Sequence, residues 1–430
     1  MLLSEPGMVT ADFGSTNVQD VRSVLAWLDF LLCEALACAH SAREPEAGTD
    51  PFRGLHISPA EVARLVRQPP GEPLLASRDL AARTDEVPRP QALRPLVQAF
   101  GLDDFDLALL LIAAAPELDL RYERLFAYLQ DDVNKKRPTV DLALNLLCGS
   151  LAAKLHRRAH FATDAPLIQH RLVHLVGDGT PTPSPLLVQA MRLDEQVLDA
   201  LLGQGSLDRR LAAFCRLLRL PELLKEERLQ STVETALPAQ VRRYVQTGEP
   251  LCLYLQGPAG ADKDMVVQGL AREMGVALLQ VDLSRMPATI PDIETALMLV
   301  FREAWLKAGV LHLHHFDALQ GSELVRAREG LSRHLARATG VSILSGTLTW
   351  EPLEGPNCNL IPVNCAAPKA AERTACWARA LGARDIAVVD KATLAALGEC
   401  FQLSHQQIEG AVSHAVFLSR RCPRDRDLDA

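Results

Sequence analysis

The chain reads as an α/β protein with a mostly helical N-terminal region, a parallel sheet wound with crossover helices, and a small helical lid. Three observations predict this. From about residue 235, apolar runs recur at 251–256, 276–283, 310–316, 341–345 and 359–363. Helical patterns at 263–274, 291–307 and 322–339 separate the first four, which is the spacing of βαβ units. Before residue 230, and again after Pro368, apolar positions follow a helical rather than a strand period.

In chain order, residues 1–20 are polar and read as a loose start. Residues 21–40 form a helix through Val24, Leu25, Trp27, Leu28, Leu31 and Leu32, and 41–52 read as a loop. Ser58 followed by Pro59 opens a helix over 58–66. The Leu-rich stretch 102–115 is too short to span a bilayer and reads as a core helix, interrupted at 115–119. Helical spacing resumes over 121–131 and continues through 139–155. Residues 170–176, a Gly/Pro turn and the chain from Leu186 read as a β-wing, and 192–195 lead into a short helix ending at Gly203. After Pro368, three helices are expected at 370–381, 391–400 and 404–420. The domains are therefore a start over 1–20, a helical, winged-helix-like region over 21–230, a sheet module over 235–367, a lid over 368–422 and a tail over 423–430.

Composition narrows the function classes. A length of 430 residues with 48% hydrophobic and 23% charged positions is that of a multidomain globular protein. A net charge of −8 argues against nucleic-acid binding driven by bulk electrostatics. No apolar run reaches membrane-spanning length, and the start shows no secretory pattern. Ten cysteines lie scattered without a Cys-x-x-Cys pair, several inside apolar patterns, as expected for reduced thiols in the cytoplasm.

The chemistry concentrates at Gly257-Pro-Ala-Gly-Ala-Asp-Lys-Asp264, between the first strand and its helix. That context is what a phosphate-binding P-loop requires: a tight glycine turn feeding a helix N-terminus. Gly257 and Lys263 stand in register, but Asp262 replaces the second glycine, and Asp264 replaces the hydroxyl that holds magnesium. Two carboxylates near polyphosphate oppose the lysine, since like charges at about 4 Å cost roughly 1 kcal/mol in water and several times more near a protein surface. The expectation is weak ATP binding through Gly257, Pro258, Gly260, Lys263 and Asp264, with little hold on Mg²⁺.

Strand, loop and lid together resemble the AAA+ ATPase module. The strings Ala115-Pro-Glu-Leu-Asp-Leu-Arg-Tyr-Glu-Arg-Leu-Phe-Ala-Tyr-Leu-Gln-Asp-Asp132 and Arg137-Pro-Thr-Val-Asp-Leu-Ala-Leu144 resemble AAA-family ATP-binding proteins associated with phage-tail-like extracellular contractile injection systems. That family places a winged-helix-like region before its AAA modules, and its larger members carry a degenerate first module and an intact second. The resemblance implies protein partners, such as an intact AAA+ subunit or particle components, and no membrane.

Against that family's pattern, His314 and His315 stand where the Walker B Asp-Glu is expected, with Asp317 two residues late. Imidazole substitutes poorly for carboxylate on hard Mg²⁺. Thr347 occupies the sensor position, residues 354–365 contain no arginine finger, and Arg373 beyond them reads as a solvated or structural residue. Strand alternation puts His312 and His314 on one face and His315 and Asp317 on the other, so no metal site is expected. Glu117 and Asp119 read as groups in a buried ion pair with Arg121 or as helix caps rather than a catalytic pair, and Ser404 with Gln407 as a capping box. The basic residues at 209–210 and 225–228 are mixed with acids and read as a solvated face. The favoured function is a non-hydrolysing assembly subunit. The alternatives are an active remodelling ATPase and a winged-helix nucleic-acid adaptor.

Overall fold

A computed structural model describes residues 13–42, 86–177, 183–225, 251–259, 261–286, 292–307, 309–319, 324–338, 340–349, 360–384 and 390–421, with a few isolated positions besides. The helix expected over 58–66 lies largely outside them. The chain divides into two compact units, 1–206 and 207–430. Among the described residues no helix is long and apolar enough to cross a membrane.

In the first unit, α1 (Phe13–Ala42) buries Val24, Leu28, Leu31, Leu32 and Ala35, one stripe at helical spacing. It packs on α3 (Asp104–Leu118), whose residues 107–115 are all buried, behind the short α2 (Arg94–Phe100). Asp103 and Asp106 form a reciprocal capping box at the start of α3. The interruption expected over 115–119 falls at the far end of that stretch. The helix carries Pro116 in its last turn and stops only at Asp119, which is extended. A last-turn proline removes one backbone donor, and apolar burial over the preceding turns outweighs that loss.

Next come α4 (Arg121–Leu129) and α5 (Val140–Leu147). The single pattern expected over 139–155 is two helices, because Cys148 turns extended and Ser150 caps the new helix α6 (Leu151–Arg157), accepting from Ala153 N at 3.2 Å. The short α7 (Pro166–Gln169) precedes the wing, in which β1 (Val173–Val176) pairs antiparallel with β2 (Ala190–Leu193). Asp194 then caps α8 (Glu195–Leu201).

The segment 115–139 is a set of staples. Asp29 of α1 accepts from Arg121 Nη2 at 2.7 Å and from the Tyr122 hydroxyl at 2.8 Å, fixing α4 to α1. Burial pushes the Tyr122 hydroxyl up to about 12, so it remains a donor. Asp119 accepts from Arg121 N in the turn that leads into α4, and Glu117 pairs with Arg137. These acids hold structure, as expected. The Asp119–Arg121 pair lies half-exposed, however, at 44% and 50% side-chain accessibility, not buried. The Gln130 side chain donates to the carbonyls of Phe126, Lys135 and Arg137 and accepts from Thr139 N, closing the loop before α5.

The second unit holds a six-stranded sheet in the order β3-β5-β6-β7-β4-β8. The parallel strands are β4 (Leu251–Gln256), β5 (Leu278–Asp282), β6 (Val310–His314), β7 (Val341–Gly346) and β8 (Leu360–Asn364). The sixth strand was not foreseen. β3 (Cys215–Leu218), in the stretch read as part of the helical N-terminal region, adds antiparallel to the edge of β5. Four residues are too few for a periodic pattern to separate strand from helix. Short α9 (Leu220–Lys225) follows β3.

Helices cover both faces, so the inner strands are apolar on both sides. The crossover helix α10 (Lys263–Met274) packs with Leu251, Leu253, Leu255, Val310 and Ile343. Helices α11 (Ile293–Leu306) and α12 (Val325–Arg337) pack with Cys252, Tyr254, Leu311, Leu313 and Leu344. The lid comprises α13 (Ala370–Gly382), α14 (Lys391–Cys400) and α15 (His405–Arg421) around Cys376, Trp377, Ile408 and Val412. Cys148 and Cys252 are buried and form no disulfide.

Candidate functional site

β4 lies between β7 and β8, so the connections on its two sides run in opposite senses. In open parallel sheets the crevice at such a reversal, beyond the carboxyl ends of the strands, is where ligands bind. The loop after β4 emerges there. Gly257 N donates to Gly346 O at 3.2 Å, and Cys365 N donates to Gln256 O at 2.6 Å. The loop thus sits against the ends of β7 and β8, and a Cβ on Gly257 would collide with the Cys365 carbonyl oxygen. Only glycine permits that approach.

The groups that would receive a phosphate have partners inside the protein. Lys263 Nζ donates to Gly257 O at 2.7 Å, Gly346 O at 3.0 Å and Pro258 O at 3.3 Å. Burial lowers its pKa, and the charges on Cys365, Asp317 and Asp264 oppose that shift. Ala261 N donates to Pro258 O at 2.9 Å, and Lys263 N to Ala261 O at 2.5 Å. Gly260 lies outside the described residues.

Asp262, in place of the second glycine, has a structural task. Its Oδ1 accepts from His405 N at 3.0 Å and its Oδ2 bonds His405 Nδ1, with both side chains 11% exposed. One carboxylate therefore caps the first turn of α15 and ties the lid to the loop, a favourable place for negative charge. Ser404 and Gln407 complete that end as a reciprocal capping box. Arg373 is structural as expected, donating to Gly398 O at 2.8 Å and to Pro368 O.

Asp264 stands half-exposed in the first turn of α10, its Oδ1 3.8 Å from His312 Nδ1. His312 is fully buried and shares a 3.0 Å bond between Nε2 and Ser345 Oγ. Burial pushes its pKa down to about 3, so it is neutral at any ordinary pH. Thr347 and Asp317 come together: Asp317 accepts from Thr347 N at 2.7 Å, Thr347 Oγ1 at 2.8 Å and Leu348 N at 3.2 Å. Burial pushes the Asp317 carboxyl up, but those bonds outweigh it and hold it below the usual range. Gly346 makes the joint close, since a Cβ there would meet Asp317 Oδ1 at 2.7 Å and the Tyr254 hydroxyl.

Strand alternation misplaced His315. β6 ends at His314, and His315 takes the left-handed conformation with φ 57°, which turns its ring back beside its neighbour. The His314 and His315 ring centroids lie 4.6 Å apart, and His315 Nδ1 is 3.0 Å from Asp282 Oδ1 at the end of β5. Asp282 was missed because it lies more than thirty positions from the histidines in sequence and only strand pairing aligns it with His314. Burial lowers the His314 pKa, with Asp264 the main opposing influence.

The helical unit with its β1–β2 wing has a counterpart among known domains. Residues 20–215 match the family model of a winged helix domain, variant. The winged helix domain accounts for the first unit, and the match ends in β3, at the start of the second. No curated protein matches the chain.

Proposed function

We propose that this chain is an AAA-family ATP-binding protein whose phosphate loop serves as a structural joint. It works as an assembly subunit of a contractile injection-type system, holding nucleotide weakly or not at all. Its partners are proteins, an intact AAA+ subunit or particle components, met in the cytoplasm. The family and setting rest on the resemblance of residues 115–144, with the winged helix domain ahead of the parallel sheet as support.

One observation carries the loss of nucleotide chemistry: the Lys263 ammonium is held by three backbone carbonyls while Asp262 is held by His405. Hydrogen bonds to charged groups contribute roughly 1.5–3 kcal/mol each, so a phosphate must displace a well-satisfied cation and approach two carboxylates. For hydrolysis, His314 and His315 stand where a carboxylate would polarise water, and Asp317 is committed to Thr347 and Leu348. Titration calorimetry of ATP with Mg²⁺ against the wild type and Lys263→Ala tests this reading. Weak or absent binding that Lys263→Ala leaves unchanged is expected. Tight, lysine-dependent binding with phosphate release would sink it in favour of an active ATPase.

A further inference from the structure

The carboxyl ends of β5 and β6 bring together three side chains that nucleotide chemistry does not use. Asp282, His314 and His315 each offer a donor atom, and these atoms all lie within 4.8 Å of one another. We propose that they form a binding site for one divalent transition-metal ion of the zinc class, with a further position open to solvent.

Four features support the assignment. The donor set is two imidazoles and one carboxylate, which suits borderline ions and not Mg²⁺ or Ca²⁺. Ligands on a tetrahedral ion with bonds of about 2.0–2.1 Å lie roughly 3.3 Å apart, and the Asp282–His315 pair already stands at 3.0 Å. Closing the widest gap needs a shift of about 1.5 Å, within reach of a turn of one imidazole about its soft χ2. Ser284 orients the carboxylate, donating to Asp282 Oδ1 from its backbone N at 3.0 Å and from its hydroxyl at 2.5 Å. That is the kind of outer support that metal-ligating carboxylates carry. Finally, His315 takes a left-handed backbone that few non-glycine residues adopt, and it is what turns this ring toward Asp282.

A second His-carboxylate cluster in the first unit makes a useful contrast. Asp103, Asp106 and His160 also converge, but Arg157 Nη1 stands 3.2 Å from Asp103 Oδ2 and 3.1 Å from His160 Nε2. A guanidinium already fills the place of a cation there, and the carboxylates are engaged in the capping box of α3. Near Asp282, among the described residues, Arg285 Nε stands 3.8 Å from Oδ2 with its side chain 71% exposed, farther than Arg157 stands from its partners.

The test is a titration of the chelator-stripped full chain with Co²⁺. The expected result is the intense visible absorption of four- or five-coordinate cobalt, saturating near one equivalent, abolished by Zn²⁺ and unaffected by excess Mg²⁺. His315→Asn keeps a residue tolerant of the left-handed backbone while removing the imidazole. This variant and Asp282→Asn should each weaken binding by at least about tenfold, with circular dichroism unchanged. His160→Ala should leave the titration as it is. No band in the wild type overturns the proposal. So does a band that survives both site variants, or one that His160→Ala removes.

Discussion

Replacing Asp262 by glycine restores the second glycine of the phosphate-loop pattern and should loosen the lid in the protein. Asp262 accepts one bond from the His405 backbone and pairs with its imidazole, and both side chains are nearly buried. Losing an N-cap costs about 0.5–2 kcal/mol, and losing a charge-assisted bond about 1.5–3 kcal/mol. These losses overlap in one contact, so roughly 2–4 kcal/mol of lid attachment should disappear. Hydrogen exchange reads such a loss directly when helices open locally, and 2–4 kcal/mol corresponds to roughly 30- to 700-fold faster exchange. The amides to follow are those of α15, with the strands β4 and β7 as internal standards. His405→Ala should accelerate the same amides by a comparable factor, and the double variant should add little beyond either single one. Unchanged exchange in α15 with Asp262→Gly would refute the claim that this aspartate holds the lid.

Two further outcomes follow from buried polar groups. Glu303 is fully buried on α11, 3.6 Å from Lys307 Nζ, with Oε1 accepting from Asp208 N and Oε2 without a bonding partner among the described residues. Burial raises its pKa above the ordinary 4.5, with Lys307 opposing. The unfolded chain therefore loses this proton first, and stability falls as pH climbs from about 4.5 through the folded value. Urea midpoints measured across that window should decline less steeply with pH in Glu303→Gln than in the wild type; an equal decline would show that another group governs it. In the winged helix domain, Gln130→Ala removes two N–H donors shared among three carbonyls and the acceptor for Thr139 N, around the loop before α5. At about 0.5–1.5 kcal/mol for each of those three bonding positions, the loss should be at least about 1.5 kcal/mol, read as a lower midpoint of that unit's thermal transition. A midpoint within a degree of wild type would mean that water replaces the amide without cost.

What the sequence determined by itself was local. Continuous apolar runs and helical periods place β4 and α14 at their observed bounds and the other parallel strands and lid helices within a few residues, because each period reports burial along one short segment. The β-wing and the capping box of Ser404 and Gln407 were equally legible, since turn and cap chemistry act over a few residues. The register of Gly257 and Lys263 likewise located the loop in the sequence. What only the tertiary structure decided lies between distant segments. β3 joins the sheet because β5 offers it an edge, which four residues cannot announce. The same holds for Asp262 meeting His405 and for the carbonyls that receive Lys263. A left-handed residue ended the strand alternation that had separated His314 from His315, and strand pairing brought Asp282 beside them. Side-chain type states what a group can bond, but its actual partner is set by which backbones the fold makes neighbours.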